Sequence, residues 1–280
     1  MLHAEKPSRT AQRAAERRAA HQLLDTPLVF DDPLAVRIIG ARAEANLPEQ
    51  PKNFVAARFR AFIAARSRFA EDELRAAVSR GVRQYVILGA GLDTFAYRSP
   101  FADLRVFEVD HPATQEWKRK RLSHAGIAVP STMTFAPVDF ARETFDDGLK
   151  SAGFNENVPA FFSWLGVTMY LEPEIVYGAL RAMREMNPAN AVVFDYAVPR
   201  ETLGIVGRLA LDAVSRRVKK AGEPFKGFFA PTLLVERIRE MGFTHIEDLG
   251  SDEIDARYFA GRTDKLRSGS QLGRLMSARG

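Results

Sequence analysis

Cysteine is absent from the 280-residue chain, so disulfides and thiolate metal sites are excluded outright. Histidine is scarce. His3, His21, His111, His124 and His245 are scattered, and no two stand at the i, i+4 spacing that places two imidazoles on one helix face. A zinc or iron centre is not expected. Long apolar runs are missing as well: no window approaches the roughly eighteen apolar residues that span a bilayer, and the Ala/Arg-rich start has no apolar signal segment. The expectation is a soluble, cytoplasmic protein. Low-complexity linkers and internal repeats are lacking too. No block of one sign dominates the charge: the net +5 comes from dispersed arginines. The one dense basic run, "KRKR" (Lys118 to Arg121), reads as a solvated helix face, because no nucleic-acid recognition module accompanies it. Neither nucleic acid nor membrane is expected as a partner, and the oligomeric state is left open.

What is present divides at about residue 80. The first part, residues 1–80, reads as helices and loops only, a helical cap. "SRTAQRAAERRAAHQLL" is a helix with Ser8 or Thr10 as cap, and "FDDPLAVRIIG" has an acidic start, Pro33 near its first turn and Gly40 as its stop. A longer helix runs from about Asn53 to Arg80. From residue 81 to 280 strands alternate with helices. "QYVILG" is a near-continuous apolar run, as expected for a strand buried on both faces. "LRVFEVD", "MTFAPVDF", "PAFFSWLG", "NAVVFDYAV" and "THIEDLG" follow as strands, and "SQLGRLMSA" is expected to add a final edge strand. This alternation implies a doubly wound, Rossmann-like α/β sheet.

In such sheets the ligand sits beyond the carboxyl ends of the strands. The first strand ends in Gly89-Ala90-Gly91, where missing side chains let a ligand approach the backbone. A dinucleotide loop needs a third glycine, but Thr94 stands at that place and Asp93 beside it would repel a pyrophosphate. The loop suits a ligand without phosphates, and Asp93 suits one with a cationic amine. The second strand ends at Asp110, nineteen residues after Gly91. An acid there can accept both ribose hydroxyls; its other use is to cap the helix that Pro112 opens. Glu108 shares its face. Asp139, ending the third strand, can accept an adenine amino group with Phe140 packing on the base, or it caps the next helix. Glycine, acid and acid at successive strand ends describe a nucleoside pocket without a phosphate site. S-adenosylmethionine has adenine, ribose, a charged methionine tail and no phosphate. Its carboxylate needs a cation, and Arg66 lies on the apolar side of the long helix with Phe62, Ile63 and Phe69. Buried there, it requires an anion, either that carboxylate or a structural partner.

These segments resemble the leucine carboxyl methyltransferase family over nearly the whole length. The resemblance lies in "RAAHQLLDTPLVFDDPLA", "AARSRFAEDEL" before "RQYVILGAGLDT", "VFEVDHP", "FSWLGVTMYL" and "RYFAGRTD". It implies a class I methyltransferase dependent on S-adenosyl-L-methionine, with the helical cap over the pocket. In that reading Arg66 takes the cofactor carboxylate, and Gly89, Ala90, Gly91 and Asp93 run beneath the methionine part. Asp110, with neighbouring His111, holds the ribose, and Asp139 and Phe140 define the adenine site. Leu165 stands among the cofactor contacts where the branch acting on protein phosphatase tails carries glutamate. That departure points to the small-molecule, polyketide-like branch and to O-methylation of a hydroxyl or carboxyl group. Phe95 also departs from the arginine that many members place after the LDT segment.

Methyl transfer from a sulfonium mainly requires alignment and exclusion of water; a hydroxyl acceptor gains from a base. Tyr170 follows the fourth strand and either lines the acceptor side or packs under the next helix. His21, beside Arg17 and Arg18 on the cap, faces either substrate or water. Asp195 reads as a structural cap, and Tyr258 and Phe259 in "DARYFAGR" as a pocket wall. Two other functions fit the chain: a cofactor-binding regulatory protein without catalysis, and a nicotinamide-dependent oxidoreductase.

Overall fold

The apolar run Gln84–Leu88 forms strand β1, and all five of its residues are buried in the computed structural model. The structure describes residues 8–47, 54–139, 144–220, 222–269 and 272–280. Helices cover both faces of β1, which explains why its sequence does not alternate. Strands β2 (Arg105–Asp110), β3 (Met133–Pro137), β4 (Ala160–Trp164) and β5 (Ala191–Ala197) lie parallel with it. With β6 (His245–Leu249) and β7 (Gly273–Arg279) they make a seven-stranded sheet ordered β3-β2-β1-β4-β5-β7-β6. The order reverses between β1 and β4, which puts the switch point directly beyond Leu88.

The last strand corrects an expectation. β7 is not at the edge but inserted antiparallel between β5 and β6. Its Leu275, Met276 and Ala278 are buried, whereas β6 carries His245, Glu247 and Asp248 and suits the solvated edge.

Before β1 the described chain is helical: α1 (Arg9–Leu24), α2 (Ala35–Ile39), α3 (Ala41–Ala45) and α4 (Phe54–Ser79). Ser8 is the α1 cap, its hydroxyl accepting from the Ala11 N–H at 3.1 Å. Gly40 ends α2 at φ 83°, a left-handed conformation that glycine adopts without strain. The later helices are α5 (Pro112–His124), α6 (Phe145–Ser151), α7 (Pro173–Met186), α8 (Ile205–Lys220), α9 (Pro231–Glu240) and α10 (Ser251–Tyr258). One core lies between the sheet and the apolar stripe of α4, including Phe62, Phe69 and Leu74. A second lies on the opposite face under α6, α7 and α9. A third joins α1 and α2 to α5 through Ala19, Ile38, Leu92 and Leu122 and so fastens the cap to the sheet.

The basic run on α5 is not one solvated face. Lys120 is exposed, but Lys118 is buried and its Nζ meets Glu108 Oε2 at 2.6 Å. It shares the inward face of α5 with Thr114 and Leu122, so its charge had to be matched inside.

Candidate functional site

The carboxyl ends of β1, β2, β4 and β5 meet beneath α1 and α4. Gly89 and Gly91 both have left-handed backbones, with φ of 66° and 47°. A Cβ at Gly89 would stand 2.4 Å from Val167 Cγ2, and one at Gly91 3.0 Å from the Ala11 Cβ of α1. Glycine is thus required twice here, for conformation and for close approach. The Gly89 and Ala90 N–H groups donate to Val109 O at 2.8 and 3.2 Å, binding the loop to β2. Asp110 closes the turn: Oδ2 accepts from Gly91 N–H at 2.6 Å and Oδ1 from His111 N–H at 2.7 Å. Burial pushes the Asp110 carboxyl up, and those two N–H groups oppose it. Asp110 does not cap α5. That role falls to His111, whose Nδ1 accepts from Ala113 N–H at 3.2 Å. Asp93 is half-buried and accepts from Phe95 N–H at 2.8 Å, shaping the short turn Phe95–Tyr97. Asp139 lies half-buried two residues beyond β3; Phe140 is outside the described residues.

On the other side of the switch point, Arg66 leaves α4 with its side chain 11% exposed. Its Nη1 donates to Asp195 Oδ2 at 2.8 Å, while Asp195 Oδ1 accepts from Gly166 N–H at 2.5 Å. Asp195 is therefore a buried partner to arginine and to the turn after β4, not a helix cap. The Nε of Arg66 is buried without any partner. Leu165, just before that turn, is half-buried and packs on the α4 core. Tyr170 lies close by, against the Thr10 side chain of α1 and the Phe225 ring at 5.3 Å. Burial raises its phenol to about 12, Glu223 adding to the effect and Thr10 and Arg66 opposing it.

The cap holds this floor in place through charge. Arg18 donates to Asp32 Oδ2 at 2.7 Å and to Leu92 O at 2.6 Å. Asp32 also accepts from the Thr94 hydroxyl at 2.7 Å and pairs with Arg98, which binds Glu71. Asp32 is fully buried, and although burial would raise its carboxyl, Arg18 and Arg98 hold it below the usual range. Sequence reasoning missed this role. The available signal was the second acid of "FDDP", and Thr94 serves as a cap anchor as well as a missing glycine. At the far end of α1, Glu223 takes the Ser8 hydroxyl at 2.8 Å, the Thr10 N–H at 3.2 Å and the Thr10 hydroxyl.

Three readings change. His21 faces neither substrate nor water: it is 0% exposed, its Nε2 accepts from Val29 and Phe30 N–H at 3.1 and 3.3 Å, and its Nδ1 meets Asp25 Oδ2 at 2.8 Å. Two N–H donors on Nε2 fix the proton on Nδ1, so no ring nitrogen remains for base chemistry. Glu108 is likewise withdrawn from the ribose side, paired with Lys118 and the Tyr97 hydroxyl. Burial raises its carboxyl to about 7 against the pull of Lys118. Tyr258 and Phe259 brace α4 away from the strand ends: the Tyr258 hydroxyl donates to Asp72 at 3.2 Å and Phe259 joins the α4 core, and the open cavity that Tyr258 does line lies beside Leu28 and Arg257.

Residues 11–184 match the family model for leucine carboxyl methyltransferase. YktD of Bacillus subtilis (strain 168), whose name assigns it to the S-adenosyl-L-methionine-dependent methyltransferases, is 34% identical over 288 residues, 92% of this chain and 93% of its own. The chain belongs to the leucine carboxyl methyltransferase family. A Mycolicibacterium smegmatis relative with the same kind of name is 34% identical over 68% of this chain and 66% of its own. The crystal structure of a DUF574 family protein from Streptomyces avermitilis shares the fold, with a TM-score of 0.59 at 15% identity over 97% and 99% of the two chains. As a member of this family the protein is an S-adenosyl-L-methionine-dependent methyltransferase with a class I sheet, and the nicotinamide reading is set aside. The site fits that cofactor on two observations. The glycine cradle leaves no room for side chains, and Arg66 has a buried donor still to satisfy. Among the described residues no helix is long and apolar enough to cross a membrane.

Proposed function

We propose that the enzyme methylates an oxygen, hydroxyl or carboxyl, of a small molecule held between the strand ends and α1. The observation that carries this reading is the roof. Ala11 lies over Gly91, while Ser8 and Thr10 are clasped by Glu223, and a helix set this close over the strand ends suits a small acceptor better than a protein tail. Leu165 in place of an acid also favours the small-molecule branch, and the family's description supports an oxygen acceptor.

In this proposal Arg66 binds the cofactor carboxylate, the Gly89–Gly91 backbone passes beneath the methionine part with Asp93 near its amine, and Asp110 holds the ribose hydroxyls. Asp139 and Phe140 border the adenine. The cofactor supplies an electrophilic methyl on a sulfonium. The protein's own task is to align the acceptor oxygen in line with it and to keep water out. Tyr170 lines the acceptor side as a hydrogen-bond donor. With its phenol at about 12 it stays protonated at neutral pH and orients the oxygen rather than deprotonating it.

The test is product analysis with labelled S-adenosyl-L-methionine and a panel of phenols, alcohols, carboxylic acids, amines and thiols. Label in ethers or esters is expected. Label confined to nitrogen or sulfur would sink the oxygen assignment. Asp110→Ala is expected to abolish transfer, which would also dispose of the non-catalytic alternative.

A further inference from the structure

Arg17 is a half-buried cation with no carboxylate at ion-pair distance among the described residues. It stands seven residues after Thr10, two turns along α1 on the face that meets Tyr170. Its guanidinium lies over the Phe59 ring, 4.5 Å from the centroid, and Nη1 donates only to the Arg13 carbonyl at 3.2 Å. Phe59 in turn precedes Arg66 by seven residues on α4, and Arg66 is near enough for its charge to act on Arg17, so the two cations share one side of the packed α1–α4 pair.

The charges around Arg17 are mostly of its own sign. Its pKa is pushed down to about 10, by burial first and then by Arg217 of α8, Arg13 and Arg66, with Glu16 alone opposing. Glu16, the one acid that acts on Arg17, accepts from Gln12 Nε2 at 2.8 Å, and Asp195 and Glu223 are committed to Arg66 and Gly166 and to Ser8 and Thr10. Removing a guanidinium from water among like charges is unfavourable unless an anion completes the site. A planar guanidinium stacked on an aromatic ring is pre-oriented for an oxyanion and loses little freedom on binding it. Two turns back along α1, where Thr10 meets Tyr170, the surroundings are aromatic, with Phe225 beside Tyr170 and Phe228 6.2 Å from Phe225.

We infer that Arg17 selects the acceptor: it binds a carboxylate carried by an apolar or aromatic small molecule, Arg217 strengthens the local field, and the enzyme prefers acidic acceptors over neutral ones of the same shape. This rests on the proposed small-molecule acceptor. The carboxylate bound here is distinct from that of the cofactor, which Arg66 holds, and it serves as a handle whichever oxygen is methylated.

The test uses full-length protein, S-adenosylhomocysteine, and the matched pairs 4-hydroxybenzoate with 4-hydroxybenzamide and 3-phenylpropionate with 3-phenylpropionamide. Binding is followed by calorimetry with the homocysteine product already present. Each acid is expected to bind at least tenfold more tightly than its amide. Arg17→Gln is expected to weaken the acids about 10- to 100-fold, leaving the amides and the affinity for S-adenosylhomocysteine unchanged. Arg17→Lys should recover part of the loss and Arg17→Glu should reverse the order within each pair. Acids that bind no better than amides, absence of binding included, overturn the inference, as does an Arg17→Gln loss that falls on S-adenosylhomocysteine instead. Methylation of neutral phenols without preference for acids would overturn it while leaving the O-methyltransferase reading intact.

Discussion

Arg60 and Arg66 stand six residues apart on α4, both largely buried and both paired with aspartate, yet the two sites are finished to different degrees. Arg60 is held on two prongs: Nε and Nη2 each meet an Asp25 oxygen at 2.7 Å, and the same carboxylate takes His21. Arg66 reaches Asp195 through one nitrogen and leaves Nε unmatched, while the second oxygen of Asp195 is spent on Gly166 N–H. A closed, two-pronged pair locks structure. An open pair under a glycine cradle keeps a donor for a ligand. Burial alone does not separate the two; the count of satisfied donors does.

The largest expected effect breaks the closed side. Arg60→Ala leaves Asp25 buried beside His21 without its cation and is expected to cost about 3–5 kcal/mol in urea unfolding. The folded fraction should bind S-adenosylhomocysteine as wild type does; a stable variant with lost binding would reverse the roles assigned to the two arginines. Next, Arg66→Ala is expected to weaken S-adenosylhomocysteine binding by roughly 2–4 kcal/mol, or 30- to 1,000-fold, with a smaller loss of stability. Undiminished affinity would reduce Arg66 to a structural partner of Asp195. The smallest effect sharpens the comparison through pH. Burial would raise the Asp25 carboxyl, but Arg60 and His21 outweigh it and hold it at about 2, against 3.8 ordinarily. A depressed carboxyl contributes stability that is complete above its ordinary value and lost as pH falls towards the folded one. The melting temperature of the wild type should therefore drop more steeply than that of Asp25→Asn between pH 4 and 2. Parallel slopes would show that Asp25 is not held down by its partners.

The same contrast marks what the sequence made legible. The strand segments and the glycine loop could be read because they rest on local signals: apolar runs, glycines where a Cβ would collide, acids at strand ends. Arg66 could be placed on the buried side of α4 by helical spacing. Its partner could not, because Asp195 lies 129 positions away within β5, on a different element. His21 illustrates the converse. On the sequence it is a polar residue on an arginine-rich helix, and only the return of Val29 and Phe30 to it reveals a structural ring. Lys118 similarly looked solvated within its basic run until Glu108, from a different element, met it. β7 was misplaced because seven residues of suitable character fit an edge or an interior strand equally, and the decision falls to the polarity of β6.

The contact of Ala11 with Gly91 has a thermodynamic consequence. Ala11 takes up the volume above Gly91, so a ligand reaching this glycine from the α1 side would have to move the helix, and helix position and occupancy would then be linked equilibria. A measured affinity at this loop would in that case be a net quantity, the intrinsic attraction less the free energy held in the Ser8 and Thr10 contacts with Glu223. By that linkage the α1 cap Ser8, Thr10 and one acid more than two hundred positions later would help set the concentration at which the enzyme fills, without touching its donor.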